Sequence, residues 1–250
     1  MKQNIYDNPT FFEEYRKLRD SGINYNNFVE QPAFKETLPD LKNKKILDLG
    51  CGMGEFTRYC VTKGAIEVVG VDISKNMIDV ARQHNSYAEI SYINSSIEEL
   101  ELPIGYFDVV VSSLALHYIK DYSDAIKKIN NCLKKGGTFI FSTEHPIVTA
   151  RKKMDGWITD QNGDTLYFPV DNYQEEGERT QFWYIDGVVK YHRTFSTLIN
   201  QLIINGFQLE QLVEPVPIKA GLDAMPKIKN ELRKPSFLIV KSTKLEGRDN

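Results

Sequence analysis

The sequence predicts an α/β protein built on one doubly wound, seven-stranded, mostly parallel sheet. Three observations carry this reading. Short β-prone runs alternate with amphipathic runs along most of the chain. One of them, FDVVVS at 107–112, is continuous in valine, as expected of a strand covered on both faces. And the first β-prone run ends in a glycine-rich turn that opens a helix.

The elements follow in order. Residues 8–38 read as two helical stretches broken near Gly22, with Phe11, Phe12, Tyr15, Leu18 and Arg19 at helical spacing. Strand one is predicted over 44–50, a helix over 55–63 stopped by Gly64, and strand two over 67–72. Ser74 is a suitable N-cap for a helix through Arg82. Strand three covers 90–93 and strand four 107–112. A helix over 123–133 carries Ile126, Ile129 and Leu133 on its buried stripe and ends at Gly136-Gly137, before strand five at 138–143. A helix over 195–204, strand six at 208–213 and strand seven at 237–241 complete the pattern.

Residues 146–193 break the rhythm. They are rich in aromatics, and Asp186-Gly187 between two β-prone runs signals a hairpin turn. The expected organisation is a single domain over 1–250, with an N-terminal helical lid over 1–40 and an inserted cap over 146–193.

Composition narrows the function. Hydrophobic residues make up 41% and charged residues 26%, ordinary for a globular protein. A net charge of -3 and a pI near 5.9 give no basic surface for neutralising phosphates, so nucleic acid is not the expected partner. The three cysteines, Cys51, Cys60 and Cys132, lack the spacing of a zinc knuckle or disulfide framework, so no metal is expected. No stretch approaches the roughly 20 apolar residues of a membrane span. The N-terminus is polar, without a signal core. A cytoplasmic location is the expectation.

The turn DLGCGMG at 48–54 is the most informative segment. Its glycines let backbone approach a ligand closely, and the helix behind presents free amides and a positive dipole end. Such a turn suits a pyrophosphate or an amino-acid carboxylate. The dinucleotide fingerprint G-x-G-x-x-G needs glycine at position 55, which is Glu55 here. Asp48 suits a ligand with an ammonium group, and a methionine head group has both an ammonium and a carboxylate. Asp72, ending strand two, is placed to accept hydrogen bonds from ribose hydroxyls.

These residues resemble the class I, Rossmann-like S-adenosylmethionine-dependent methyltransferases, in particular the small-molecule group related to ubiquinone-biosynthesis methyltransferases. LDLGCGMG is similar to their first motif, VVGVDIS (68–74) to the second, FDVVVSSLALHYI (107–119) to the strand-four motif and LKKGGTFIFSTEHP (133–146) to the strand-five entry. The resemblance implies S-adenosyl-L-methionine as cofactor and S-adenosyl-L-homocysteine as product, with a small-molecule methyl acceptor as partner. It also implies that the last strand inserts antiparallel between strands five and six. Gly50, Cys51 and Gly52 would meet the methionine moiety, and Asp48 its ammonium group. Asp72 would hold the ribose, with Ile73 and Met77 against the adenosine. The third-motif positions are Ser95, Ser96 and Ile97, with Ser96 where the family usually has an aspartate beside the adenine. Ser113 and Leu114 would lie near the sulfonium.

Tyr15 and Arg19, with Tyr25, are candidates to fold over the cofactor. His117, Glu144 and His145 follow strands four and five on the ligand-binding edge and are the candidate catalytic residues. His192 reads as structural. Two alternatives share the motifs: a non-catalytic protein that binds S-adenosylmethionine, and a nicotinamide-dependent oxidoreductase, against which Glu55 argues.

Overall fold

The computed structural model describes residues 3–153 and 156–246. Residues 1 and 2 of the expected lid, 154 and 155 of the expected cap and 247–250 of the expected domain lie outside them. A 3-10 turn, Ile5–Asp7, precedes α1 (Pro9–Asp20). Asn8 caps α1 by accepting from the Phe11 amide, and Pro9 takes the first helical position, where a missing N–H costs nothing. After a break at Gly22 the chain winds into a π-helical turn, Asn26–Glu30, that runs into α2 (Gln31–Glu36).

The sheet then begins. Its elements are β1 (Lys45–Leu49), α3 (Glu55–Thr62), β2 (Glu67–Asp72), α4 (Lys75–His84), β3 (Ile90–Asn94), β4 (Phe107–Ser113), α5 (Tyr122–Cys132) and β5 (Leu133–Glu144). The insertion contains α6 (Pro146–Thr149), β6 (Ile158–Thr159), β7 (Thr165–Tyr167), β8 (Gly177–Trp183) and β9 (Ile185–His192). The chain closes with α7 (Phe195–Ile204), β10 (Phe207–Val213), α8 (Lys219–Ala224), a 3-10 stretch Pro226–Leu232 and β11 (Phe237–Lys244). Ser74 caps α4 through the Met77 amide at 3.1 Å, as expected.

The seven-stranded sheet runs β10-β11-β5-β4-β1-β2-β3. β11 is antiparallel to both β5 and β10, the insertion the resemblance implied. Strand order reverses between β1 and β4, which opens a crevice at their C-terminal ends. Side chains alternate faces along the central strands. Val110, Phe139, Phe141, Leu238 and Val240 pack on the α5 and α7 side, whereas Val109, Val111, Ile140 and Ile239 pack on the α3 side. This two-sided burial is why FDVVVS is continuously apolar.

Three local readings differ. The 123–133 helix starts after its N-cap, Asp121, and ends at Cys132, because Leu133 is already extended and pairs with Phe107. Gly136-Gly137 therefore does not end a helix. It lies inside β5, where the register against β4 shifts. The predicted hairpin exists as β8–β9, but it reverses at Tyr184 (φ 59), with Gly187 (φ 78) in a shift of the ladder beyond it.

The insertion is tied down by buried polar groups. Arg179 donates to Ala150 O at 3.0 and 2.8 Å from two nitrogens. His192 pairs Thr149 Oγ1 at 2.8 Å and Tyr173 O at 2.9 Å, so both ring nitrogens are engaged and its role is structural. Arg193 donates to the carbonyls of Ile119 and Lys120 in the segment after β4. The hairpin also meets the N-terminal helix. Phe11 sits edge-on to Trp183 at 5.1 Å and to Tyr6 at 5.0 Å, and Ile5, Phe11 and Val188 are buried together. Edge-to-face pairs of this kind add about 0.5–1.5 kcal/mol each beyond area burial.

Candidate active site

A cavity of 1390 Å³ occupies the crevice at the strand-order reversal and extends under the N-terminal helix and the β8–β9 hairpin. Its floor is the turn from β1 into α3. Gly50 has φ +77, and a Cβ there would lie 2.3 Å from the Ala115 Cβ, so only glycine fits. Asp48, Gly50 and Cys51 line the cavity and Gly52 does not. The Gly52 amide instead donates to Asp72 Oδ2 at 2.9 Å. That amide orients the ribose-binding candidate.

Asp72 also accepts from the Ser74 amide at 2.9 Å. A carboxylate has about four acceptor positions, so about two remain for a ligand. Burial pushes its pKa up to about 6, against the pull of these two amides. Asp48 is 1% exposed and accepts from Thr57 Oγ1 at 2.7 Å. Burial pushes it up to about 7. Asp48 is buried and Asp72 partly exposed, and among the described residues no cationic side chain is bonded to either, so a cationic ligand would complete the site.

The other expected cofactor residues fall on the same cavity. Ile73, Met77, Ser95, Ser96, Ile97, Ser113 and Leu114 all line it. The Ser96 hydroxyl donates to Glu99 Oε2 at 3.1 Å and accepts from the Glu99 amide at 3.2 Å, so it caps the following turn. Leu114 has φ 53, unusual for a non-glycine residue. Its amide donates to Ser142 O and Ser142 Oγ, both at 3.1 Å, which fixes the turn. Tyr15 and Arg19 line the cavity from above, as does Tyr25. Arg19 pairs with Glu55 on α3 and donates to Asn26 Oδ1 at 2.6 Å, so Glu55 holds the N-terminal segment.

The three catalytic candidates separate. His117 and Glu144 line the cavity. Burial pushes His117 down to about 4, outweighing the nearby Glu144 carboxylate, so the ring is neutral at pH 7. Glu144 is buried too, but Lys190, 2.5 Å from its Oε1, and His117 hold its pKa below the usual carboxylate range. The structure does not bring His145 to the cavity. Its Nδ1 accepts from the Ile147 amide at 3.3 Å, capping α6, and its Nε2 faces Glu214 at 2.9 Å. Both nitrogens are occupied on the far side of the chain, which removes it from the candidates.

Sequence reasoning on the aromatic-rich insertion pointed to Trp183 and Tyr191 but missed Glu30, Tyr6 and Tyr118. Glu30 is fully buried in the π-helical turn and bonds Ser113, Ser142, Gln31 and Asn26. Tyr6, Tyr118, Trp183 and Tyr191 line the cavity opposite the glycine turn. Among the described residues no helix is long and apolar enough to cross a membrane, and no group of three or more His, Cys, Asp or Glu is arranged to hold a metal.

A glycine turn beside an acid that ends the next strand, at the strand-order reversal, is the place where open α/β sheets bind ligands. Residues 47–141 match the methyltransferase domain family. The fold superposes on an S-adenosylmethionine-dependent methyltransferase from Mesorhizobium loti with a TM-score of 0.80, at 40% identity over 86% of this chain and 97% of that one. An uncharacterized protein of Haemophilus influenzae is 37% identical over 98% of both chains. The ubiquinone biosynthesis O-methyltransferase of Coxiella burnetii is 37% identical over 41% of this chain, which spans 44% of that enzyme. The chain belongs to the S-adenosylmethionine-dependent methyltransferases. It is an enzyme whose cofactor is S-adenosyl-L-methionine. The donor set fits this group, since the two carboxylates lie where a ribose and a cationic head group need acceptors, and the Gly50 backbone leaves the approach open.

Proposed function

We propose that the enzyme methylates a small molecule bound between the glycine turn and the aromatic wall. The observation that carries this is the continuity of the cavity: one space runs from Asp72 to Trp183, long enough for cofactor and acceptor together. Asp48 and the backbone of Gly50 and Cys51 hold the amino-acid end of the cofactor. Asp72 holds the ribose, and Ile73, Met77, Ser95, Ser96 and Ile97 surround the adenosine. Ser113 and Leu114 sit beside the sulfonium, which supplies an electrophilic methyl carbon when bound. The protein then has to exclude water and align the acceptor in line with the carbon–sulfur bond.

Residues 1–40 act as a lid, latched by Arg19 on Glu55 and by the contact of Phe11 and Tyr15 with the inserted cap. His117 and Glu144 face the acceptor end. The enzyme works in the cytoplasm, a placement supported by three buried free thiols, Cys51, Cys60 and Cys132.

Incubation with cofactor labelled in the methyl group and a metabolite extract, with mass-spectrometric readout, tests the reading. A labelled small molecule is the expected product. Titration calorimetry showing no binding of S-adenosylhomocysteine by the folded protein would overturn it.

A further inference from the structure

The acceptor end of the cavity has a chemistry of its own. Glu144 ends β5 and lines the cavity beside His117. Its Oε1 is taken by Lys190, itself only 3% exposed. Its Oε2 is buried and has no hydrogen-bond partner. A buried acceptor without a donor is destabilising, so a native protein that keeps one needs a reason. The rings of Tyr6, Tyr15, Tyr118 and Trp183 wall the same space. Aromatic faces attract cations. Over the whole cavity, seven carboxylate side chains stand against three cationic ones among the described residues. An anionic acceptor would meet repulsion there, and a cationic group would be drawn in.

We propose that the acceptor is an amine on an apolar or aromatic body, and that the Glu144 side chain turns its buried Oε2 toward the cavity to accept an N–H of the reacting nitrogen. The proposal rests on the methyltransferase reading of this cavity. The ammonium gives up one proton to solvent on entering the site, and the amine reacts as its free base. Its lone pair forms the nitrogen–carbon bond, the carbon–sulfur bond breaks, and the electron pair of that bond stays on sulfur. The positive charge passes from sulfur to nitrogen, giving S-adenosylhomocysteine and a methylated ammonium. Glu144 stabilises that product charge, and the surplus proton leaves with the product to solvent. A hydroxyl acceptor would need a base to remove its proton at the moment of attack. Neither His117 nor Glu144 is suited to it: burial makes the neutral His117 ring a weak base, and Glu144 is already paired with Lys190.

The test uses the full chain with cofactor carrying a carbon-13 methyl, incubated with a metabolite extract. The expected result is a labelled product retained by a cation exchanger, with a nitrogen-bound methyl by NMR. With the purified acceptor, Glu144→Gln should raise KM at least tenfold and leave S-adenosylhomocysteine affinity unchanged. Glu144→Asp, which keeps the charge, should recover part of the loss. A label on oxygen, sulfur or carbon overturns the proposal and leaves the methyltransferase reading intact. So does an extract that yields no nitrogen-methylated product, or a Gln variant with unaltered KM. If wild-type protein fails to bind S-adenosylhomocysteine, the underlying reading falls instead. Thermal unfolding of each variant separates loss of fold from loss of acceptor binding.

Discussion

Glu30 and Ser142 lie 112 residues apart in sequence and 2.5 Å apart in space, with Ser142 Oγ donating to Glu30 Oε1. The same oxygen accepts from Ser113 Oγ at 2.9 Å. Ser142 Oγ in turn accepts from the Leu114 amide at 3.1 Å. One carboxylate on the N-terminal π-helical turn therefore fixes the ends of β4 and β5, where the proposed sulfonium site lies. Glu30→Ala would leave two hydroxyls without their acceptor, at a cost of about 1–3 kcal/mol. Melting temperature should fall by several degrees and S-adenosylhomocysteine affinity should weaken with it. Glu30→Gln keeps an acceptor for the serines but turns an amide toward Gln31 and Asn26, so it should fall between the two. An alanine variant as stable as wild type would show that the link holds nothing.

Asp72 offers a sharper test of the cofactor site. Asp72→Ala removes the proposed ribose acceptor and should cost about 1–3 kcal/mol of affinity, roughly 5- to 150-fold. It also frees the Gly52 and Ser74 amides, so some of the loss comes from the turn itself. Calorimetry giving the wild-type Kd would take Asp72 out of the site.

Cofactor binding should depend on pH through the two acids. Burial raises Asp72 to about 6 and Asp48 to about 7, so the free protein carries protons on them that a cationic ligand displaces. Affinity should therefore rise with pH and level off above about 7. Below about 6 both acids are protonated in the free protein, and Kd should change by up to about a hundredfold per pH unit. Calorimetry of S-adenosylhomocysteine binding from pH 5 to pH 8 measures this, and a flat profile would refute the assignment.

His117 gives a stability prediction of the same sign. Its folded value near 4 lies below the ordinary 6.5, so the folded state binds fewer protons than the unfolded one between those values. No penalty exists above pH 6.5, and one grows as pH falls toward 4, reaching about 3 kcal/mol. His117→Gln should make the protein relatively more resistant to acid. Parallel acid denaturation curves for variant and wild type would contradict that.

Gly50→Ala tests the floor. The added Cβ meets Ala115 at 2.3 Å in a backbone conformation that alanine avoids. Cofactor binding should fall below detection even if the variant folds. Retained binding would mean the turn can move away from β4.

The sheet was legible because its signals are local. FDVVVS announces a strand buried on both faces, and Ser74 announces a helix start, whatever surrounds them. The turn at 48–54 was legible for the same reason: its backbone needs are written in its own glycines. What escaped depends on distant partners. Glu30 reads as one more acid in NNFVEQP, since a π-turn has no residue pattern of its own and its four partners come from three parts of the chain. His145 looked catalytic because it follows β5. Its occupation by Glu214 appears only once β10 is placed beside β11. Gly136-Gly137 misled because two glycines after a helical run suit a C-cap and a ladder shift equally.

The contact of Phe11 with Trp183 has a consequence for how the chain is made. The helix over the cavity is synthesised well before its docking surface, which follows more than 170 residues later. At about 5–20 residues per second it waits on the order of ten seconds or more. The sheet has nearly all of its parallel strands by then, so the nascent chain assembles its floor before its roof. The cavity becomes a closed space only once the inserted hairpin has been made.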